Sequence, residues 1–148
     1  MVELWDEQLM LAKYHLSIAK RLFENFSDYE TKRFLSGCLN ELAFCCTGFV
    51  NASLIYCHVK DGIKISKKPK DRIKMFRKYG KDLFDKSVVK NVFDVFNICR
   101  AKKDSPIELL RGDKIILLDK GEYRALTLIR IGELIKKTEE GIKNFPKN

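Results

Sequence analysis

The sequence predicts a mainly helical protein: an antiparallel bundle of four to five helices with a small β-hairpin before the C-terminal helix. Two observations predict this fold class. Apolar residues recur at steps of three and four through several long segments, which is the spacing of one face of an α-helix. Near the C-terminal end, short apolar runs flank Gly112-Asp113, a pair typical of a turn between strands. The length of 148 residues suits one domain, residues 1–148, that can bury a core without a metal or a disulfide.

The first helix has the clearest periodicity. Seven apolar residues fall on one stripe of it: Trp5, Leu9, Ala12, Leu16, Ala19, Phe23 and Phe26. Ser27 and Asp28 predict the turn that follows. A second helix is expected over about residues 31–60, and the short connection predicts that it lies antiparallel to the first.

The second helix contains eighteen consecutive uncharged residues, 42–59, just long enough to span a membrane. Asn51 lies in the middle of this run, and a polar amide is costly in lipid. We therefore expect a buried helix at the centre of the bundle and no membrane partner. Small residues recur along the helix and permit close approach of another helix, inside the bundle or across a homodimer interface. They are Gly37, Ala43, Gly48, Ala52 and Ser53.

The remaining elements follow from caps, breakers and apolar spacing. A short helix is expected over residues 69–79, and a third long helix runs from an N-cap at Ser87 to about residues 100–104. It ends there because the residue before a proline disfavours helix, as in Ser105-Pro106. Short strands are expected at residues 107–110, 114–118 and 123–126, as a small β-hairpin or meander. Thr127 can cap the last helix, which Pro146 closes.

Nearly all the net charge lies in residues 60–81, here called the basic segment. It holds ten Lys or Arg and two Asp, a local balance of +8 in a chain of net charge +9. Such a patch attracts polyanions, and each cation that neutralises a phosphate adds salt-dependent affinity without sequence preference. The candidate nucleic-acid-binding residues here are Lys64, Lys67, Lys68, Lys70, Arg72, Lys74, Arg77 and Lys78.

Two aromatic residues, Phe76 and Tyr79, are interleaved with these cations. If exposed, their rings can stack on unpaired bases of RNA. Alternatively, the rings anchor the short helix to the core, and the lysine excess reflects a lysine-rich proteome.

The sequence contains no motif that declares a reaction. The five cysteines lie within apolar helical patterns, so we interpret them as small buried hydrophobic residues, reduced as in a cytoplasmic protein. No spacing typical of a metal site or a phosphate-binding loop is present, and we expect no cofactor and no metal. His15 is a boundary residue of the first helix. His58 precedes the basic segment and is a weak candidate for proton chemistry or phosphate contact.

The segment from Arg100 to Ile116, RAKKDSPIELLRGDKII, carries more motif-like detail than any other. The segment begins at the end of the third long helix, after the two long opening helices. It resembles the corresponding segment of small archaeal HEPN-like helical proteins. There an Arg is followed by Ser-Pro, a hydrophobic residue, Glu and a basic β turn.

The resemblance implies a HEPN-like bundle that forms a homodimer. In active HEPN ribonucleases a histidine follows the arginine after four to six residues, and two such motifs meet across a dimer to cleave RNA. Here Arg100 matches the arginine, whereas Ser105, Pro106 and Ile107 occupy the positions expected for histidine. Arg100 is therefore a weak catalytic candidate. RNA binding through the same face would involve Arg100, Lys102 and Lys103.

These observations favour a non-catalytic module that binds RNA or another polyanion. Two alternatives stay open. One is a homodimeric scaffold, or the protein partner of a nucleotidyltransferase in a toxin–antitoxin pair, as the resemblance implies. The other is a HEPN-type ribonuclease with a degenerate motif.

Overall fold

A computed structural model describes residues 3–146 of the chain. The elements, in order, are α1 (Asp6–Tyr29), α2 (Lys32–Asp61), α3 (Pro69–Gly80), α4 (Lys86–Asp104), β1 (Glu108–Arg111), β2 (Lys114–Asp119), β3 (Glu122–Thr127) and α5 (Leu128–Lys143). The mainly helical fold is confirmed. The expected β-hairpin before the last helix is a three-stranded antiparallel sheet in the order β1-β2-β3.

Helices α1 and α2 form an antiparallel pair. His15 on α1 lies 2.6 Å from Glu41 on α2, whereas a Cβ on Gly48, further along α2, would lie 3.0 Å from the carbonyl oxygen of Gln8. The turn between the helices is at Glu30, which adopts a left-handed conformation with φ of 41°, so the prediction of a turn at Ser27 and Asp28 was wrong. Ser27 instead bonds back to the carbonyl of Glu24 inside the helix, which is a common behaviour of helical serine.

Helix α2 is the centre of the bundle. Thirteen of its residues are buried, and they cover most of its circumference. In the described chain it is the one helix long and apolar enough to cross a membrane by length and composition. Of its most apolar stretch of 18 residues, 56% is buried inside the fold. The core helix of a bundle passes the same test. The small Gly48 faces α1 within the chain, so the close approach that it permits is intramolecular.

Helices α4 and α5 complete the bundle. Thr127 caps α5 as predicted, because its Oγ1 accepts a hydrogen bond from the backbone N–H of Arg130 at 3.1 Å. The N-cap of α4 is Asp85, two residues before the predicted Ser87. The buried Asn91 amide of α4 donates to Thr138 Oγ1 of α5 at 2.9 Å and joins the two helices.

The sheet packs one side against the helices, where Ile115, Leu117 and Leu126 are buried. Strand β2 pairs with both neighbours, with Ile116 opposite Leu109 and Ala125. Ser105 connects the end of α4 to the sheet, since its Oγ accepts from the backbone N–H of Leu118 at 2.9 Å. The Ser-Pro pair thus both ends α4 and starts the sheet.

Candidate nucleic-acid interface

The basic segment folds as an extended link followed by helix α3. Gly62 ends α2 in a left-handed conformation, with φ of 70°. Pro69 occupies the first turn of α3, where its missing N–H costs nothing. Asp71 lies in the first turn, and Arg77 lies in the last. This charge order favours α3, because a helix attracts anions at its N-terminus and cations at its C-terminus.

The apolar side of α3 anchors it to the core. Phe76 is fully buried, with its ring centroid 5.9 Å from that of Phe49 and 6.4 Å from those of Phe84 and Phe93. Tyr79 is half-buried against the same core. The anchoring interpretation is therefore correct for Phe76, and the hypothesis that its ring stacks on bases was wrong.

The opposite side of α3 is dominated by cations, with the half-exposed Asp71 at its edge, seven residues before Lys78. Lys70, Lys74, Arg77 and Lys78 are exposed, and their spacing of four, seven and eight residues places them on one side of the helix. Lys64, Lys67 and Lys68 are exposed in the preceding link. Arg72 is half-buried beside a cavity of about 50 Å³ that it shares with Asn51 and Phe96, and is less available to a ligand.

Lys81 was missing from the candidates. It follows Gly80 with helical backbone angles and is exposed, eleven residues after Lys70. Its side chain therefore continues the side formed by Lys70, Lys74 and Arg77. That spacing is readable in the sequence and would have identified it.

None of the ten cations of the basic segment forms an ion pair within residues 3–146. Elsewhere in the described chain eight Lys or Arg residues pair with carboxylates: Lys20, Lys90, Arg100, Lys102, Arg124, Arg130, Lys137 and Lys143. Three of the segment's cations, Lys60, Arg77 and Lys78, lie over aromatic rings instead. The Arg77 guanidinium lies 4.2 Å from the centroid of Phe93, and Lys78 lies 5.3 Å from that of Tyr79. Such contacts orient a cation without neutralising it, so the segment keeps its positive charge.

The three cations near the end of α4 differ in availability. The side chain of Arg100 is 47% exposed, and its one ion pair within residues 3–146 is with Asp104 at 3.6 Å. It lies four residues after Phe96 and seven after Phe93, so it is on the side of α4 that faces α3, and the exposed Lys103 follows three residues later. Lys102 is 12% exposed and lies 3.2 Å from Asn40 and 4.0 Å from Glu108. Arg100 and Lys103 can extend the basic surface, whereas Lys102 is held within the fold.

The two histidines lie on other helices than Arg100. His58, near the end of α2, is exposed, and its Nδ1 donates to the carbonyl of Ile63 at 2.6 Å. His15, on α1, pairs with Glu41 at 2.6 Å. His58 therefore lies beside the start of the basic segment and away from Arg100 in the sequence.

The cysteines do not offer a nucleophile. All five are free thiols and four are buried. Burial raises the pKa of Cys38 and that of Cys45 to about 12 and the pKa of Cys99 to about 11. At neutral pH these thiols are therefore protonated and unreactive.

Two larger clefts lie away from the basic segment. A cleft of about 390 Å³ separates α4 from α5, and its charged residues largely neutralise one another, as in the Asp94–Arg130 pair at 2.8 Å. Another, of about 520 Å³, lies between the start of α1 and the end of α5. No His or Cys is among the described residues that line either cleft. Within residues 3–146, no group of three or more His, Cys, Asp or Glu is placed to hold a metal ion.

Comparison of the chain with models of known protein families, with curated proteins and with solved structures gives no match. The resemblance to HEPN-like proteins therefore rests on the residues from Arg100 to Ile116 alone.

Proposed function

We propose that this protein is a HEPN-like, non-catalytic module that binds RNA through the basic segment. The observation that carries the proposal is the absence, within residues 3–146, of any ion pair to the segment's ten cations. An exposed helical side on which Lys and Arg outnumber the single Asp71 creates a positive local potential, which attracts a polyanion and raises its rate of association.

The expected mode of binding is contact with the phosphates. Long flexible lysines bind phosphate as point charges, and such contacts carry no sequence information. Phe76 is buried and Tyr79 is half-buried, so stacking of bases on this helix contributes little. Recognition of RNA through this surface is therefore largely independent of its sequence.

A matched pair of triple variants tests the proposal. Lys70→Ala/Lys74→Ala/Lys78→Ala removes three exposed charges from one side of α3. Lys13→Ala/Lys114→Ala/Lys136→Ala removes three exposed, unpaired charges from three other elements and changes the net charge equally.

Binding of a fluorescent single-stranded RNA is measured for both variants by anisotropy at constant salt. We expect the first variant to lose at least about 10-fold in affinity and the second less than about 3-fold, since only phosphate contacts release counterions. Equal losses would show that general net charge, and not the basic segment, attracts RNA.

A second candidate function is that of a scaffold for a protein partner. It is favoured by large apolar residues that α1 and α2 leave exposed, among them Met10 and Tyr14 on α1 and Phe44 on α2. Soluble surfaces seldom leave such residues contiguous without a partner.

A further inference from the structure

Helix α1 has an apolar side that no element within residues 3–146 covers. Met10 is 67% exposed, Tyr14 60% and Leu11 44%, and the half-buried Ile18 follows one turn after Tyr14. These residues lie on the side of α1 opposite its buried stripe. Contiguous exposed apolar residues of this size mark an interaction surface.

A neighbouring helix enlarges this surface. Phe44 of α2 is 56% exposed. The His15 ring lies between it and Tyr14, with centroids 5.3 Å from each. Two helices therefore present one apolar and aromatic patch, called here the α1 patch: Met10, Leu11, Tyr14, His15, Ile18 and Phe44.

The charges around the α1 patch are arranged symmetrically. Glu7 precedes Tyr14 by seven residues and Arg21 follows it by seven, so all three lie near one line along the helix. Each charge is about 10 Å from Tyr14 along the axis. Both charged residues are exposed, and neither forms an ion pair within the described chain.

This order of residues makes one copy of α1 complementary to a second, antiparallel copy. If a second α1 packs antiparallel across a two-fold axis at Tyr14, Glu7 of each copy lies beside Arg21 of the other. Met10 then lies opposite Ile18 of the other copy, and Leu11 lies opposite Ser17. In a symmetric dimer each contact occurs twice, so the interface holds two ion pairs beside a mainly apolar seam.

We propose that the chain forms a symmetric homodimer by antiparallel packing of α1 against α1 of a second copy, centred on Tyr14. The self-complementary charges identify the occupant as another copy of this chain rather than an unrelated protein. This surface shares no residue with the basic segment. A dimer holds two basic segments in one particle and so raises the avidity for a long polyanion.

The oligomeric state in solution, measured by sedimentation velocity over a concentration series, tests this proposal. We expect the unaltered protein to dimerise at micromolar concentration. Tyr14→Glu places two like charges at the two-fold axis and should weaken the dimer at least about 100-fold, because buried unpaired charge is strongly disfavoured. Tyr123→Glu is the control, since Tyr123 is 75% exposed on β3, and should leave the dimer unchanged.

Charge reversal tests the pairing itself at two exposed positions where folding is not at risk. Glu7→Arg and Arg21→Glu should each weaken the dimer about 10-fold through like-charge repulsion, and the double variant, which restores opposite charges, should recover most of that loss. A protein that stays monomeric at 100 µM, or a dimer that Tyr14→Glu and the single reversals leave intact, would overturn the proposal. Failure of the double variant to recover would do the same.

Discussion

Replacing Phe76 by alanine distinguishes an anchoring ring from a base-stacking one. The side chain is fully buried and touches an aromatic cluster formed by Phe49, Phe84 and Phe93. Truncation of a fully buried phenylalanine costs about 3–5 kcal/mol, through lost burial and the cavity left behind. For a chain of this length that corresponds to a decrease of about 10 °C in the melting temperature.

The assay for Phe76→Ala is urea denaturation followed by circular dichroism. Tyr123→Ala removes a ring that is 75% exposed and should change the free energy of unfolding by less than about 0.5 kcal/mol. A loss below about 1 kcal/mol for Phe76→Ala would refute the anchoring role, since even a moderately buried ring is worth more. It would also make base stacking by this residue possible again.

Three further predictions concern packing, buried polar groups and thiols. Gly48→Val should lower the free energy of unfolding by about 2 kcal/mol, because even a Cβ there would lie 3.0 Å from a backbone oxygen of α1. Gly37→Ala is the control, since its Cβ would meet only the end of the Leu22 side chain, and it should be neutral or stabilising. Urea denaturation measures both. Thr138→Val removes the nearer of two acceptors of the Asn91 amide, the other being the carbonyl of Leu134 at 3.4 Å, and should cost about 1–3 kcal/mol, while Thr138→Ser retains stability. Equal melts for the two variants would contradict the bond to Thr138. Because burial raises the pKa of Cys38 to about 12, the four buried thiols of the native protein should react slowly with a thiol reagent at pH 8, and all five thiols should react in urea. Rapid native labelling of more than one thiol would contradict that burial.

The helices could be predicted from the sequence because the buried side of each helix carries apolar residues at steps of three and four. Six of the seven residues on the predicted stripe of α1 are buried, and only Phe23 is partly exposed. Helix ends were harder, because caps depend on backbone angles. The left-handed Glu30 ends α1 although Ser27 and Asp28 are the commoner turn formers.

The third strand was the ambiguous part of the β unit. Residues 123–126 were expected to be extended, but a two-stranded hairpin and a three-stranded meander were equally compatible with short apolar runs. The register decides the matter, since Lys114 pairs with both Arg111 and Thr127 and β2 is therefore the central strand. Contacts between strands are tertiary information that periodicity does not contain.

The position of the basic segment could be read from the sequence, whereas the state of its cations could not. Pairing depends on which carboxylates come near in space, and no charge count reveals that Lys102 of α4, outside the segment, is held by Asn40 and Glu108. Nor does it reveal that Arg77 lies over Phe93. The exposure of each cation to a ligand depends on how α3 packs against α4.

The salt dependence of RNA binding tests the central claim most directly. If about five cations of the basic segment contact phosphates, log Kd should rise with log salt concentration with a slope of about 3 to 4 for a single strand. Lys70→Ala/Lys74→Ala/Lys78→Ala should lower that slope by about 2, and Lys13→Ala/Lys114→Ala/Lys136→Ala should leave it unchanged. A slope near zero for the unaltered protein, or one that both triple variants lower equally, would contradict binding through the basic segment.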